Sequence, residues 1–571
     1  MTANPNRSFA TDASHTVTLA TGQVAHRLHV AQNEFLERRL YTVRPGVHTL
    51  VGNGLSNQTF IEAPDGVIAI DTGESVEEMR DAIAELRSVC DRPIVAVLYT
   101  HFHYVTGTAA VFEDGAARDI PIWGHAKVEY NRTRTASEIA PAYGRGLVEQ
   151  FAINLPASGT DGAINVGLGF FYRNPAHAPF TSSFLPPTQV FDRPTIIRVA
   201  GLDVHVTPAP SDADDSVTYW FPSLSVAVHN VVWPALFNIF AIRGEEYRDP
   251  RVLLDGVDHL LSLDAEHLVG AHGPPISGAD EIRRRVTRYR DSIQYLWDQS
   301  VRHINKGATS ADLAHLVSLP SYFDDDYLTA ERYGVAEHHV RQIRNGLFGY
   351  FDGDESQLFP LPTAERCDRL IAGFGGRAKV RELAATAIDT DDLRWATELA
   401  TWLVRSSDPH DDDRRLLARA LRTIGQRTPA ANIRSWCLTR ARSLEGALDT
   451  SRLYRHRLNR RQVLTSAPSV SVHMLRVMLD PDDVTDLDVH LAFDIGDGPR
   501  TGLHFRNGVA CPTDGDTNTA VLRCSNEMWA DLLTGHANLS ESMQSGSVTI
   551  EGDVDNARRA LRAIECEGLR S

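Results

Sequence analysis

The rhythm of apolar and polar residues changes several times along this chain. From Leu40 to Val111 the apolar residues fall in short β-branched runs, YTVRPGVHTLVG and then LSNQTFIEAPDGVIAIDTGES, broken at Pro-Gly, Asn-Gly and Asp-Gly, and this predicts strands joined by turns. Ser75 then reads as a helix N-cap with Glu78 three residues later, and Met79, Ile83 and Leu86 continue one helical face. IVAVLYT is the next strand and runs into His101, so the histidines fall just past a strand's C-terminal end, where α/β proteins place their chemistry. A second strand-rich stretch covers residues 198–228 and ends in LDVHVTPAP and VTYWFPSLSVAVHN, which read as edge segments. Residues 249–263 return to helical spacing through Val252, Val257, Leu260 and Leu261, and LVGAHGPP closes a short apolar run on a histidine and a proline turn.

From about residue 278 to 448 the period is helical throughout. RELAATAIDTDDLRWATELATWLVRS and DDDRRLLARALRTIGQRT place apolar residues three and four apart with arginines outside, which predicts stacked helical hairpins. After residue 466 the period drops to two: Val489, Leu491, Phe493 and Ile495 alternate, Asn507-Gly508 marks a hairpin, and SGSVTIEGDVDNARRALRAIE reads as strand, turn and helix. That pattern is a small α+β domain.

At 571 residues the chain is long enough for about three domains at roughly 100–200 residues each. Its net charge of −17 opposes binding to nucleic acid or an anionic membrane, so an anionic substrate needs a local group of cations. The six cysteines, Cys90, Cys367, Cys437, Cys511, Cys524 and Cys566, are scattered without a CxxC pair, which fits a reducing compartment. No run approaches the ~20 apolar residues of a membrane span, and the polar start shows no secretory signal, so a cytoplasmic protein is expected.

The central chemical motif is Thr100-His101-Phe102-His103-Tyr104-Val105-Thr106-Gly107. Two histidines at i and i+2 in a tight loop after a strand can face one metal ion, and imidazole suits zinc, iron or copper. His125 and the pair His338-His339 read as packing or solvated residues, and the acidic runs at residues 324–326 and 411–413 as helix caps and solvated turns.

LSNQTFIEAPDGVIAIDT, Gly167-Leu168-Gly169, TPAP with YWFP, FNIFAIRGEEYRDP, YGVAEHHVRQIRNGLFGYFDGDESQLFPL and DLRWATELATWLV occur in this order. In that order they resemble the alkylsulfatase branch of the metallo-β-lactamase superfamily along nearly the whole chain. The last ~100 residues are similar to the sterol-carrier-protein-like domain that ends those enzymes. The resemblance implies an α/β fold: a metallo-β-lactamase αββα sandwich, then an all-α dimerisation domain, then a C-terminal α+β sterol-carrier-protein-like domain. The implied division is a flexible lead over 1–30, a catalytic domain over 31–300, a helical dimerisation domain over 301–450 and the terminal domain over 460–571.

The family's metal loop reads THxHxDHxGG and holds two zinc ions. Here the two first histidines stand as His101 and His103, while Val105 and Thr106 replace the Asp and the third His, and Thr108 and Ala109 replace the Gly pair. The glutamate of the family's TPGTEAP falls at Ser211, beside Asp212, which is the substitute read among the acids of 212–215. The bridging glutamate of its AEN motif falls at His229, next to a retained Asn230, and the final histidine matches His272. The expected metal ligands are therefore His101, His103, His229, His272 and Asp212. They suit one divalent ion per chain, zinc by resemblance, with iron or manganese as alternatives. Asn238 and Arg243 match the segment that lines the family's sulfate pocket, and Phe237 stands where the family usually has histidine, so no catalytic proton donor is assigned.

The resemblance implies a metal-dependent hydrolase acting on a sulfate or related anionic ester with an apolar part, and a homodimer. Two readings of another class remain: a mononuclear oxygenase or lyase on the same scaffold, and a homologue without catalysis. Loss of the second ion predicts poor cleavage of simple alkyl sulfates.

Overall fold

The structure is a computed structural model and describes residues 7–117 and 119–570. Two compact units divide the chain: Met1–Asn131 with Arg145–Thr450, and Arg132–Gly144 with Ser451–Ser571.

The first unit is built on two sheets. One has seven strands in the order Arg39–Arg44, Val47–Val51, Gln58–Ala63, Gly66–Ile70, Ile94–Leu98, Ile122–His125 and Gln189–Phe191. Pairing is antiparallel as far as Gly66–Ile70 and parallel beyond it. The other has six strands, Thr195–Val199, Leu202–Pro208, Val217–Phe221, Val226–His229, His267–Gly270 and Ile276–Ser277. The segments LDVHVTPAP and VTYWFPSLSVAVHN are thus interior strands rather than edges. The edges are Thr195–Val199, whose residues alternate between exposed Ile196 and buried Ile197, and Ile276–Ser277, which is too short to read as a strand.

Period two decides the layering. In Gly66–Ile70, Ile68 and Ile70 face Val204, Val206, Val217 and Val228 of the second sheet, while Val67 and Ala69 face the helix Val76–Arg87 through Met79, Ile83 and Leu86. The far side of the second sheet is closed by the helices Pro250–Ser262 and Ala279–Ile304, through Leu253, Val257, Val286 and Ile293. This is the expected αββα sandwich, buried on both faces of both sheets.

Ser75 caps the first of these helices, its Oγ accepting from Glu78 N at 3.1 Å. The Glu78 carboxylate reaches back one residue further than a capping box requires, accepting from Glu74 N at 3.1 Å and from Gln58 Nε2 at 2.8 Å.

The lead is not loose over its described part. Residues 1–6 lie outside the described residues. Thr16–Thr18 pairs with Val24–His26, buried Ser8 bonds Glu337, and Ala10 N donates to Arg427 O at 3.0 Å. Polar residues here satisfy one another's hydrogen bonds, which composition alone does not reveal.

The boundary placed at 300 falls inside Ala279–Ile304, because one amphipathic helix serves the sandwich along its whole length. Beyond it, Arg377–Asp389, Leu393–Arg405, Asp411–Arg427 and Ala431–Leu444 pack around Val380, Leu399, Leu403, Leu421 and Cys437. Asp413 is a helix cap as read, accepting from His410 N at 3.0 Å in a capping box, but it is not solvated. It is fully buried and accepts from Arg377 Nη1 at 2.5 Å and Arg381 Nε at 2.6 Å. Asp326 likewise takes both arms of Arg285, at 2.8 and 2.6 Å. An arm over residues 348–361 carries Phe348, Tyr350, Leu358 and Phe359 exposed, Phe359 at 88%.

The second unit has a five-stranded sheet in the order Val509–Thr513, Thr501–Arg506, Asp488–Ile495, Ala520–Cys524 and Val548–Gly552. Val489, Leu491, Phe493 and Ile495 enter its core with Trp529 and Leu561. Asn507 and Gly508, both at positive φ, make the two-residue turn between Thr501–Arg506 and Val509–Thr513. Glu138 belongs to this unit: it takes Arg476 at 2.5 Å and offers its carbonyl to His456 at 3.0 Å.

Candidate metal centre

Strand Ile94–Leu98 delivers Tyr99, Thr100 and His101 to the rim of the sandwich. Asp71, at the end of Gly66–Ile70, has φ 57°, a conformation aspartate tolerates better than most residues. From there its carboxylate accepts from Thr100 N at 2.8 Å and Thr100 Oγ1 at 2.6 Å. Thr100 Oγ1 lies 2.9 Å from His101 Nδ1, which fixes that ring and turns its Nε2 toward the cavity. Gly107 is required because a Cβ there would collide with the carbonyls of Thr72 and Ser75.

His101, His103 and Asp212 bring one donor atom each within 4.8 Å of one another. Asp212 Oδ2 is 3.1 Å from His103 Nδ1 and 3.8 Å from His101 Nε2. Asn230 Nδ2 donates to Asp212 Oδ1 at 2.7 Å, and Trp233 Nε1 holds the Asn230 amide at 3.2 Å. His101 and Asp212 are buried, while His103 keeps 13% side-chain exposure and opens the group to solvent.

Burial pushes His101 down to about 3, so its ring is neutral and able to ligate. Burial alone would raise Asp212; the imidazoles of His101 and His103, with Arg248, hold it well below the ordinary carboxylate range. Burial also raises Asp71 to about 7 against its bonds from Thr100.

The other two expected ligands do not join this group. His272 donates from Nδ1 to Leu55 O at 2.9 Å, and its Nε2 lies 3.3 Å from the Tyr104 hydroxyl. Tyr104 meets both His101 and His272 edge-on, at 5.0 and 5.4 Å between ring centres, and fills the space that would unite them. His229 accepts from Val232 N at 3.5 Å and lines a small cavity with Trp233, Gly270 and His272. Its neighbour Asn230 reaches the cluster instead, as adjacent residues leaving a strand face opposite ways.

Val105 is fully buried in the apolar layer beside Val76 and Met79, and Thr106 turns its hydroxyl to Gly73 O at 3.3 Å. Neither offers a donor. In the first unit, the described residues provide the one donor group, which suits one ion.

Behind the cluster stands a second set of polar groups. The Arg243 side chain is buried and ion-paired with Glu245 at 3.0 Å. Asn238 is fully buried, and neither side-chain atom of it has a hydrogen-bond partner. Arg248, which the sequence reading passed over, donates Nη1 to Asn238 O at 2.7 Å and leaves Nε and Nη2 unpartnered in the interior. His339, read as packing, accepts from Phe240 N at Nδ1 (3.2 Å) and keeps Nε2 unpartnered. A Cβ on Gly334 would lie 2.8 Å from Asn238 Oδ1 and 3.0 Å from His339 Nε2, so the two share one cradle. Buried donors without partners cost stability unless something fills them.

Comparison with known proteins agrees with this architecture. Residues 51–229 match the metallo-beta-lactamase superfamily, and residues 309–447 match the alkyl sulfatase dimerisation family. A linear primary-alkylsulfatase of Pseudomonas sp. (strain ATCC 19151) is 32% identical over 527 residues, covering 89% of this chain and 98% of that protein. An (R)-specific secondary-alkylsulfatase of Pseudomonas sp. is 25% identical over 532 residues, covering 90% and 79%. The stereoselective inverting sec-alkylsulfatase Pisa1 from Pseudomonas sp. superposes with a TM-score of 0.82 at 22% identity, over 98% of this chain and 92% of that one, a likeness of fold.

Proposed function

This chain belongs to the alkylsulfatase family of the metallo-beta-lactamase superfamily, and on that premise we propose that it is a metal-dependent hydrolase of a sulfate or related anionic ester. The observation that carries the substrate class is the buried, unpartnered set of Asn238 and Arg248, within the field of Asp212. A guanidinium fork and an amide beside a metal cluster suit a tetrahedral oxyanion.

His101, His103 and Asp212 would hold the ion. Two imidazoles and one carboxylate fit a single divalent ion, zinc by family, with manganese or iron as competitors. Such an ion, when bound, supplies Lewis-acid chemistry at the ester. Arg248 and Asn238 orient the anionic head, and Thr100 and Asn230 fix the donors. The apolar walls from Trp233, Phe237 and Tyr333 exclude water around them.

The exposed apolar arm over 348–361, within the matched dimerisation region, supports a homodimer. The five-stranded sheet and helices of the terminal unit support a sterol-carrier-protein-like α+β domain. Six free cysteines support a reducing, cytoplasmic compartment. Among the described residues no helix is long and apolar enough to cross a membrane.

The test is sulfate release from alkyl sulfates of graded chain length, with zinc, manganese and ferrous iron supplied separately, beside elemental analysis. Metal-dependent release slower than about 10 per second and one ion in the first unit are expected, since the second ion of a two-metal clamp is missing. Two ions held there would overturn the single-ion reading. A second reading rests on the donor set itself: two histidines and one carboxylate is also the set of non-haem iron oxygenases. Dioxygen uptake without sulfate release would favour it.

A further inference from the structure

The second unit holds a donor group that the first unit's chemistry does not use. Asp488, His490 and His504 bring one donor atom each within 4.8 Å of one another. All three stand on neighbouring strands, where His490 pairs in register with His504 and Asp488 with Arg506. They occupy the face opposite Val489, Leu491 and Leu503, so the core does not need them.

The two imidazoles stack, with ring centres 3.6 Å apart and planes 18° from parallel. Two donors bound tetrahedrally to zinc at about 2.0–2.1 Å sit about 3.3–3.4 Å apart, so donor atoms within 4.8 Å of one another reach one ion after a small rotation of the side chains. Asp488 Oδ1 is 2.6 Å from His504 Nε2 and supplies the carboxylate beside them. Arg506, the cross-strand partner of Asp488, reaches Cys511 Sγ at 3.9 Å and helps keep the Asp488 carboxyl below its ordinary range, after the larger effect of the His504 hydrogen bond. His490 Nδ1 is buried without a hydrogen-bond partner, an unusual state for a ring nitrogen that water alone should satisfy. Cys511 lies across the ladder from His504, on the same face.

We propose that Asp488, His490 and His504 form a second metal site, for a borderline divalent first-row ion of the zinc class, that clips strand Asp488–Ile495 to strand Thr501–Arg506. Three protein ligands leave the remaining positions to water or an external donor. Binding one ion to the folded sheet stabilises this unit by mass action and releases protons as the imidazoles ligate.

The experiment uses the full chain stripped of metal by chelator, carrying His101→Ala and His103→Ala so that the first cluster is silent. Titration with cobalt(II) should show one ion per chain with visible d–d absorption, and zinc should displace it. Adding His490→Ala and His504→Ala should abolish both the colour and the bound equivalent, while circular dichroism stays unchanged, because these positions are outside the core. Asp488→Ala should weaken binding about tenfold. Zinc should also raise the melting transition of the second unit in the parent and not in the added variant. Absence of bound cobalt in the parent, or an equal stoichiometry in the variant, would overturn the site.

Discussion

His101, His103 and Asp212 in the first unit, and Asp488, His490 and His504 in the second, are the same three donors in opposite surroundings. The first set is largely buried, His103 alone reaching solvent, and two of its members are held from behind: His101 by Thr100, itself held by Asp71, and Asp212 by Asn230. The second is open, Asp488 being 79% exposed, and its geometry comes from the pleat of two paired strands. The contrast separates a site organised for chemistry from one organised for binding. Orienting hydrogen bonds and a dry wall add to reactivity, whereas bare spacing suffices for affinity.

The largest effect should come from removing donors. His101→Ala or His103→Ala should empty the buried cluster and slow ester cleavage about a thousandfold or more, the equivalent of about 4 kcal/mol. His490→Ala with His504→Ala should change that rate less than about twofold, against that same scale. Comparable losses from both pairs in a sulfate-release assay would erase the distinction.

Next in size is the anion cradle. Arg248→Lys keeps the charge but loses the planar fork, and should lower kcat/KM for an anionic ester about a hundredfold. Arg506→Lys, the guanidinium beside the exposed cluster, should leave it unchanged. Steady-state kinetics on both variants decides.

Smaller still, Thr100→Val removes the bond behind His101 and should weaken metal binding there by about 10–100-fold without unfolding. Competition against a chromogenic chelator measures it, and an unaltered affinity would show that the buried donors need no orientation.

The smallest effect is on stability. Burial pushes His338 and His26 in the first unit each down to about 4, from an ordinary 6.5. Between those values the unfolded chain binds protons that the folded one refuses, so stability is full above about 6.5 and declines as pH falls toward about 4. Calorimetry of chelated protein should show the first unit's transition falling over that window. His338→Gln should flatten the slope.

Much of this was legible in order and period. Ser75, Met79, Ile83 and Leu86 sit where a capped amphipathic helix puts them, and the alternation of Val489 to Ile495 enters the core as read. Two of the three grouped donors followed from their position after a strand. What failed was direction. His229 and Asn230 are consecutive, and sequence spacing does not decide which one leaves the strand toward the cluster. Arg248 was hidden among the arginines of RGEEYRDPR, since only packing shows that its guanidinium enters the interior and that of Arg251 does not. His339 and His338 are likewise adjacent on a helix, and only His339 shares the cradle with Asn238. Asp413 looked like one acid of a solvated run because Arg377 and Arg381, which bury it, come from an earlier helix.

Residues 132–144 group with residues 451–571 although they are made long before them. On a ribosome adding about 5–20 residues per second, the intervening 145–450 take on the order of 15–60 s to appear. Throughout that interval Glu138 waits for Arg476 and His456, which do not yet exist. The terminal unit therefore takes in a segment issued early in synthesis, and a chain stopping near residue 450 would leave Glu138 without Arg476 and His456.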